Sequence, residues 1–283
     1  MGGLSVCFGE AARDALCRSF DDATRSITAE FYDLKDPAVK AAIARARARH
    51  VAVDIRTEHR RHDFTSHPVL HAKAAVVDGR TAIFTTANVT RSGFASPGEV
   101  CVIDDYPEDV VALGDAITGK APRQNTGDRV IAGPDPAVRM AIESLLCSTT
   151  DVRIASEDLS DERIVDQLIA RHRAGRADRV LINANGAMSR AQQRTISRLT
   201  HAGVAMRAPS GAYMHEKYVD NGDRIYLGSA NLTRNGLDEG CEIGLVTEAA
   251  DFGLGADALR ANFDAMWRSA SAVGLRQHVN KLG

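Results

Sequence analysis

The chain has 283 residues, of which 44% are hydrophobic, 25% charged and 5% aromatic, the composition of a globular protein rather than a disordered or fibrous one. Lys plus Arg number 35 against 37 Asp plus Glu, a formal charge of −2 that excludes a uniformly basic nucleic-acid coat but allows a local basic patch. No apolar run approaches the roughly 20 residues that span a bilayer, and the N-terminus lacks the basic start and apolar core of a secretion signal, so a cytoplasmic protein with no integral membrane segment is expected.

Taken in chain order, residues 9–25 read as an amphipathic helix and 26–32 as a strand. Asp36-Pro37 opens a second helix to about Arg49, with the Asp suited to cap free N–H groups and the Pro to the first turn; VAVDIR (51–56) follows as a β-branched strand. The same order returns further on. Asp135-Pro136 opens a helix to about Cys147, 151–156 is a strand, Asp161 caps a helix to about Arg173, and 179–184 is a strand. Between the two runs, 118–136 is rich in Gly, Pro and polar residues, which places a boundary near 125: one unit over 1–125 and a second over 126–283.

The segments that follow establish a duplication. HAKAAVVDGRTAIFTTANVTRSGFASPGEVCVI starts at His71 and HEKYVDNGDRIYLGSANLTRNGLDEGCEIGLV at His215. Shared are His-x-Lys, a nearby Asp, Ala-Asn, Thr-Arg-x-Gly and a Glu ahead of an apolar strand; Asn to Glu spans eleven residues in both, Asn88 to Glu99 and Asn231 to Glu242. Lysine occurs at only six positions, and two of them, Lys73 and Lys217, fall two places after these histidines.

Residues two apart in a strand share a face, so His71 projects with Lys73, and Thr86 with Asn88 on the next strand; His215/Lys217 and Ser229/Asn231 repeat the arrangement. Lys, Asn and hydroxyl groups donate to anionic oxygens, and His serves as nucleophile or proton carrier. Two such sets facing one anion suit displacement at phosphorus, with the lysines supplying the positive charge that a divalent ion otherwise provides. No metal or other cofactor is expected. The five scattered cysteines, with no CxxC, read as reduced thiols rather than zinc ligands. Asp78, at odd spacing from His71, points away from the site, and Asp220 is its counterpart in the second copy, with Asp223 the competitor.

These motifs resemble the phospholipase D superfamily, whose signature is H-x-K-x4-D followed by G-S/T-x-N. His71, Lys73 and Asp78 match the first part, and Gly228, Ser229 and Asn231 the second. The resemblance implies an α/β fold of two pseudo-symmetric lobes, each a central mixed sheet flanked by helices, with the active site at their interface. It also implies a metal-independent phosphodiesterase working through a covalent phosphohistidine. By analogy His71 is the nucleophile and His215 the general acid, although the near-equivalent copies leave the reverse order open, as they leave hydrolysis or transfer. Glu99 and Glu242 match the acidic position that orients the motif histidine. The first copy departs at Thr85-Thr86, where Gly-Ser is usual, and the second is one residue shorter between His and Asn.

The substrate expected is a phosphodiester, nucleic acid ahead of phospholipid, in a bacterial setting. Compact lobes, the absence of a membrane anchor and a basic loop with Arg56, Arg60 and Arg61 as phosphate contacts favour the nuclease. A phospholipase D or phosphatidyltransferase is the alternative, with Phe64, Phe94 and Tyr213 as the nearby aromatics for an apolar rim; a non-catalytic nucleic-acid-binding module is a third reading. A monomer suffices to build the site.

Overall fold

The structure, a computed structural model, describes residues 3–58, 68–120, 129–134, 136–184, 188–209 and 213–273. The expected boundary at 125/126 and the loop arginines Arg60 and Arg61 lie outside the described residues, as do Asp135 and Phe64.

The first half runs β1 (Leu4–Phe8), α1 (Gly9–Asp22), β2 (Ser26–Phe31), α2 (Pro37–Ala48), β3 (Ala52–Thr57), β4 (Lys73–Val77), β5 (Thr81–Thr85), α3 (Arg91–Phe94), β6 (Val100–Asp104) and α4 (Pro107–Thr118). The second runs β7 (Val130–Ala132), α5 (Pro136–Leu146), β8 (Arg153–Ser156), α6 (Glu162–Arg173), β9 (Arg179–Ile182), α7 (Arg190–Ala202), β10 (Ala205–Ala208), β11 (Lys217–Asp220), β12 (Arg224–Gly228), β13 (Ile243–Glu248), α8 (Leu254–Ser269) and β14 (Ser271–Ala272). The strand orders β1-β6-β5-β4-β2-β3 and β7-β13-β12-β11-β8-β9 are the same order, and the second sheet adds β10 and β14 beyond β9. In both, the strand pair joined by a capped helix (β2/β3 and β8/β9) is parallel and the motif strands are antiparallel, which makes the sheets mixed. The chain is thus two lobes of one α/β plan.

Local chemistry explains the matching helices. Asp36 accepts from the N–H groups of Ala38 and Val39, and Asp161 from those of Arg163 and Ile164, each satisfying donors that a helix start leaves free. Helix α1 stops at Asp22, three residues earlier than expected. The Asp78 carboxylate takes the N–H groups of Thr24, Arg25 and Ser26, which holds them in the bend that leads from the helix into β2.

All of β4 is buried, and its residues alternate between two cores. Ala75 and Val77 face an outer core with Leu16 and Phe20 of α1 and Val39 and Ile43 of α2, while Ala74 and Val76 face inward. The inner core is common to both sheets: Phe84 and Val102 of the first, Leu227 and Leu245 of the second, with Leu113 of α4 and Phe263 of α8. Each fully buried side chain of this size is worth about 1.5–3 kcal/mol, so this shared layer fixes the lobes against each other. Trp267 flanks it, stacked on Phe263 and under the guanidinium of Arg207.

Candidate active site

His71 and His215 stand at the lobe junction, just ahead of β4 and β11, their ring centres 6.2 Å apart. Both line one open pocket, together with Tyr32, Val69, Asn88, Glu157, Asn231, Thr233, Asn235 and Glu242. Backbone bonds between the lobes place His71: its N–H donates to the Cys241 carbonyl (3.0 Å), and Cys241 N–H donates to Val69 (2.8 Å). On the other side the His215 N–H donates to Glu99 Oε1 (3.0 Å).

Each glutamate serves the histidine of the opposite lobe. His71 Nδ1 lies 2.9 and 3.1 Å from the two oxygens of Glu242, and Ser229 Oγ donates to Oε2 of the same carboxylate. Glu99 receives Thr86 Oγ1 (2.7 Å) and the His215 N–H, while His215 Nδ1–H donates to the Thr86 carbonyl at 3.0 Å rather than to Glu99 Oε2, which is 3.9 Å away. An acceptor on Nδ1 holds that proton and turns Nε2 to the pocket. Among the described residues His71 Nε2 has no protein partner.

Lys73 and Lys217 are almost wholly buried. Lys73 Nζ donates to the His71 carbonyl (2.7 Å) and lies 5.4 Å from the Tyr32 ring centre; burial, and then the charge of Lys217, push it down to about 7. Lys217 is lowered by burial too, but Glu157 opposes the shift with a 2.9 Å ion pair. Burial pushes Glu99 up to about 7. Burial followed by the neighbouring lysine lowers both histidines, Lys73 acting on His71 and Lys217 on His215. Glu242 stays below the usual carboxylate range despite burial, because His71 and Lys73 face it.

The motif His, Lys, Asn and Glu residues of both copies converge here. Asn88 Nδ2 lies 3.4 Å from His215 Nε2, across the lobe boundary. Thr86 and Ser229, expected to touch substrate, are buried, and their hydroxyls are engaged by Glu99, by Glu242 and by the backbone of β6 and β13. Arg56 is the described one of the three arginines expected to contact phosphate. It pairs with Glu30 on the neighbouring β2, 3.3 Å away, and does not line the pocket. Asp78 and Asp220 face away from the pocket, but by different means. Asp78 caps the start of β2, whereas buried Asp220 binds Arg260, Arg153 and the Tyr218 hydroxyl. Thr85 does not crowd the pocket, since its hydroxyl donates to the Val100 carbonyl. At its counterpart Gly228, an added Cβ would meet the Tyr226 hydroxyl at 2.6 Å and Gly244 Cα at 2.7 Å, so glycine is required by β12–β13 packing. Phe94 is core, not rim.

Sequence reasoning missed Glu157 and Tyr32. Strand pairing sets Phe31 opposite Lys73 and Ser156 opposite Lys217, so the next residues, Tyr32 and Glu157, occupy the same place in each lobe. Aligning the two pre-motif strands, rather than the motifs alone, reveals them.

A family profile described as "Cardiolipin synthase, PLD-like domain" matches residues 56–115 and 142–267. No curated protein matches significantly in sequence. Among solved structures, the phosphatidylserine synthase of Haemophilus influenzae Rd KW20 superposes over 95% of this chain and 87% of its own at TM-score 0.71 and 12% identity. A polyphosphate kinase from Porphyromonas gingivalis superposes over 87% of this chain and 44% of its own (TM-score 0.56, 13% identity). The phospholipase D family member Nuc from Salmonella typhimurium aligns with 51% of this chain and 95% of its own (TM-score 0.46, 18% identity). The profile covers well over half of the sequence, and the phosphatidylserine synthase shares its two-lobed fold. The chain belongs to the phospholipase D superfamily, in the family described as cardiolipin synthase, PLD-like domain.

Proposed function

We propose that the protein is a phosphodiesterase that forms a covalent phosphohistidine on His71, and that its substrate is nucleic acid. The observation that carries the reading is the pair of histidines 6.2 Å apart, each held by the other lobe, close enough for both to reach one phosphoryl group. His71 donates from Nδ1 to Glu242 and leaves Nε2 unprotonated toward the pocket, the form in which an imidazole attacks phosphorus. His215 has oxygen acceptors at both ring nitrogens, the Thr86 carbonyl and Glu157 Oε2 at 3.1 Å, so a proton taken up on Nε2 makes an imidazolium held at both ends. Burial inclines that imidazolium to release its proton, which suits protonation of a leaving oxygen. Lys73, Lys217, Asn88 and Asn231 then hold the non-bridging oxygens without a metal ion.

A pocket lined by polar groups, with Val69 as its one aliphatic residue among the described ones, supports a nucleic-acid backbone. The second reading, transfer or hydrolysis of phospholipid head groups, draws on the family description and on exposed Val69 and Tyr213 at the rim. No described helix is long and apolar enough to cross a membrane. The test assays single- and double-stranded DNA, RNA, phosphatidylcholine vesicles and a chromogenic diester in EDTA, with wild type, His71→Ala and His215→Ala. The expected result is EDTA-resistant cleavage of a nucleic acid, lost in both variants. Abolition by EDTA removes the metal-free mechanism, unchanged variants remove the site, vesicle cleavage alone favours the second reading, and binding without cleavage identifies a binding module.

A further inference from the structure

The two half-sites differ where their strand ends meet the motif. In the N-terminal lobe the place is filled by an aromatic ring, with Tyr32 packed edge-on against His71 at 5.0 Å. In the C-terminal lobe it is filled by a carboxylate. Glu157 Oε2 lies 2.9 Å from Lys217 Nζ, 3.1 Å from His215 Nε2 and 3.2 Å from Asn231 Nδ2, while Oε1 accepts from the Tyr213 hydroxyl. On the function proposed above, those first three groups are the ones that receive a phosphoryl oxygen. One carboxylate oxygen therefore stands where one substrate oxygen is needed.

We propose that Glu157 is a specificity-determining residue: its carboxylate holds the C-terminal anion seat until a phosphodiester displaces it, and its charge then selects singly charged diesters over doubly charged phosphomonoesters. The inference rests on the proposed function, since it takes the pocket to be a phosphate site. Exchange of one carboxylate for one diester leaves Lys217 and His215 facing the same negative charge, so a monoanion replaces Glu157 at little electrostatic cost. A second charge has no such match. Lys73 and Lys217 are the lysines at the site, and Glu99, Glu242 and Glu157 already oppose them. A displaced Glu157 stays within a side chain's length, because its backbone directly follows β8 and Tyr213 anchors its other oxygen. Its repulsion of a ligand doubles when the ligand charge doubles.

A purely structural ion pair for buried Lys217 would have no bearing on ligand charge, and this separates the two roles. Dissociation constants are measured for dimethyl phosphate and methyl phosphate at about pH 8, where the monoester is a dianion. The proteins are wild type, Glu157→Gln and Tyr213→Phe, the last removing the tether and keeping the charge. Wild type should prefer dimethyl phosphate. Glu157→Gln should bind dimethyl phosphate about tenfold tighter and methyl phosphate about a hundredfold tighter, erasing the preference. Tyr213→Phe should tighten dimethyl phosphate by a smaller factor. Unchanged or weaker binding of both ligands by Glu157→Gln overturns the proposal, and so do equal gains for the two. If thermal melting shows that Glu157→Gln does not fold, Tyr213→Phe decides, and no gain in dimethyl phosphate affinity overturns the proposal. Failure of the functional reading is distinguishable: His71→Ala would then leave diester turnover intact, a result that does not enter these binding constants.

Discussion

Lys73 and Lys217 hold the same place in sequence and differ in their surroundings. Lys217 has Glu157, whereas Lys73 has a carbonyl and an aromatic ring and no carboxylate within hydrogen-bonding reach among the described residues. With its ammonium pushed down to about 7 by burial and by Lys217, Lys73 is charged in mildly acidic solution and neutral in mildly alkaline solution. An anionic diester binds the charged form, so kcat/KM should fall as pH rises through about 7. Glu99 acts in the same direction, since its ionisation near 7 adds negative charge beneath His215. Lys73→Arg keeps its charge throughout and should move the alkaline limb upward. An identical limb in wild type and Lys73→Arg would remove the lysine from this account. Scarcity of lysine made the matched pair readable from sequence. The contrast between Tyr32 and Glu157 was not, because these residues follow β2 and β8, far from the motif in sequence, and only β-pairing brings them to the pocket.

At the scale of elements, the duplicated caps and motif turns were legible because each uses local chemistry. Asp36 and Asp161 start equivalent helices, and Thr90 and Thr233 accept the N–H groups of Gly93 and Gly236. Those glycines are obligatory for a reason that the sequence alone conceals. An added Cβ would stand 2.2 Å from the Asn88 carbonyl oxygen and 2.4 Å from that of Asn231. The Thr-Arg-x-Gly turn thus packs against the backbone of the asparagine that lines the pocket. Strand β1 went unseen, since its five residues gain their meaning only by pairing with β6, almost a hundred residues on. Asp78 was expected to be structural, and its bonds allow a measurement. Three backbone N–H groups and the Thr24 hydroxyl hold its carboxyl below the usual range against the effect of burial. Its stabilisation is therefore fully present above the unfolded pKa of about 3.9 and is lost as pH falls toward the lower folded value. Asp78→Asn should cost about 1–2 kcal/mol in urea unfolding near neutral pH, and the deficit should shrink below about pH 4. A deficit independent of pH would contradict the capping role.

For the whole molecule, the equal eleven-residue spacing from Asn to Glu showed that each half owns a glutamate, but not which histidine it serves. The fold crosses them: Glu242 to His71 and Glu99 to the His215 backbone, so neither half-site is complete without the other lobe. Such a crossing is a property of how two sheets pack through a shared core, and no local pattern encodes it. Because both lobes belong to one chain, mixing His71→Ala with His215→Ala protein should restore no activity. Recovery toward a quarter or half of the wild-type rate would mean that the working site is shared between chains.

On the proposed function, His71 takes the phosphoryl group, and trapping the adduct tests this directly. Wild type and His71→Ala are mixed with bis(para-nitrophenyl) phosphate in EDTA, quenched in alkali and digested, and the peptides are read by mass spectrometry. A nitrophenylphosphoryl adduct is expected on the peptide bearing His71 and not in the variant. An adduct on His215 in its place, or sustained turnover by His71→Ala, would contradict it.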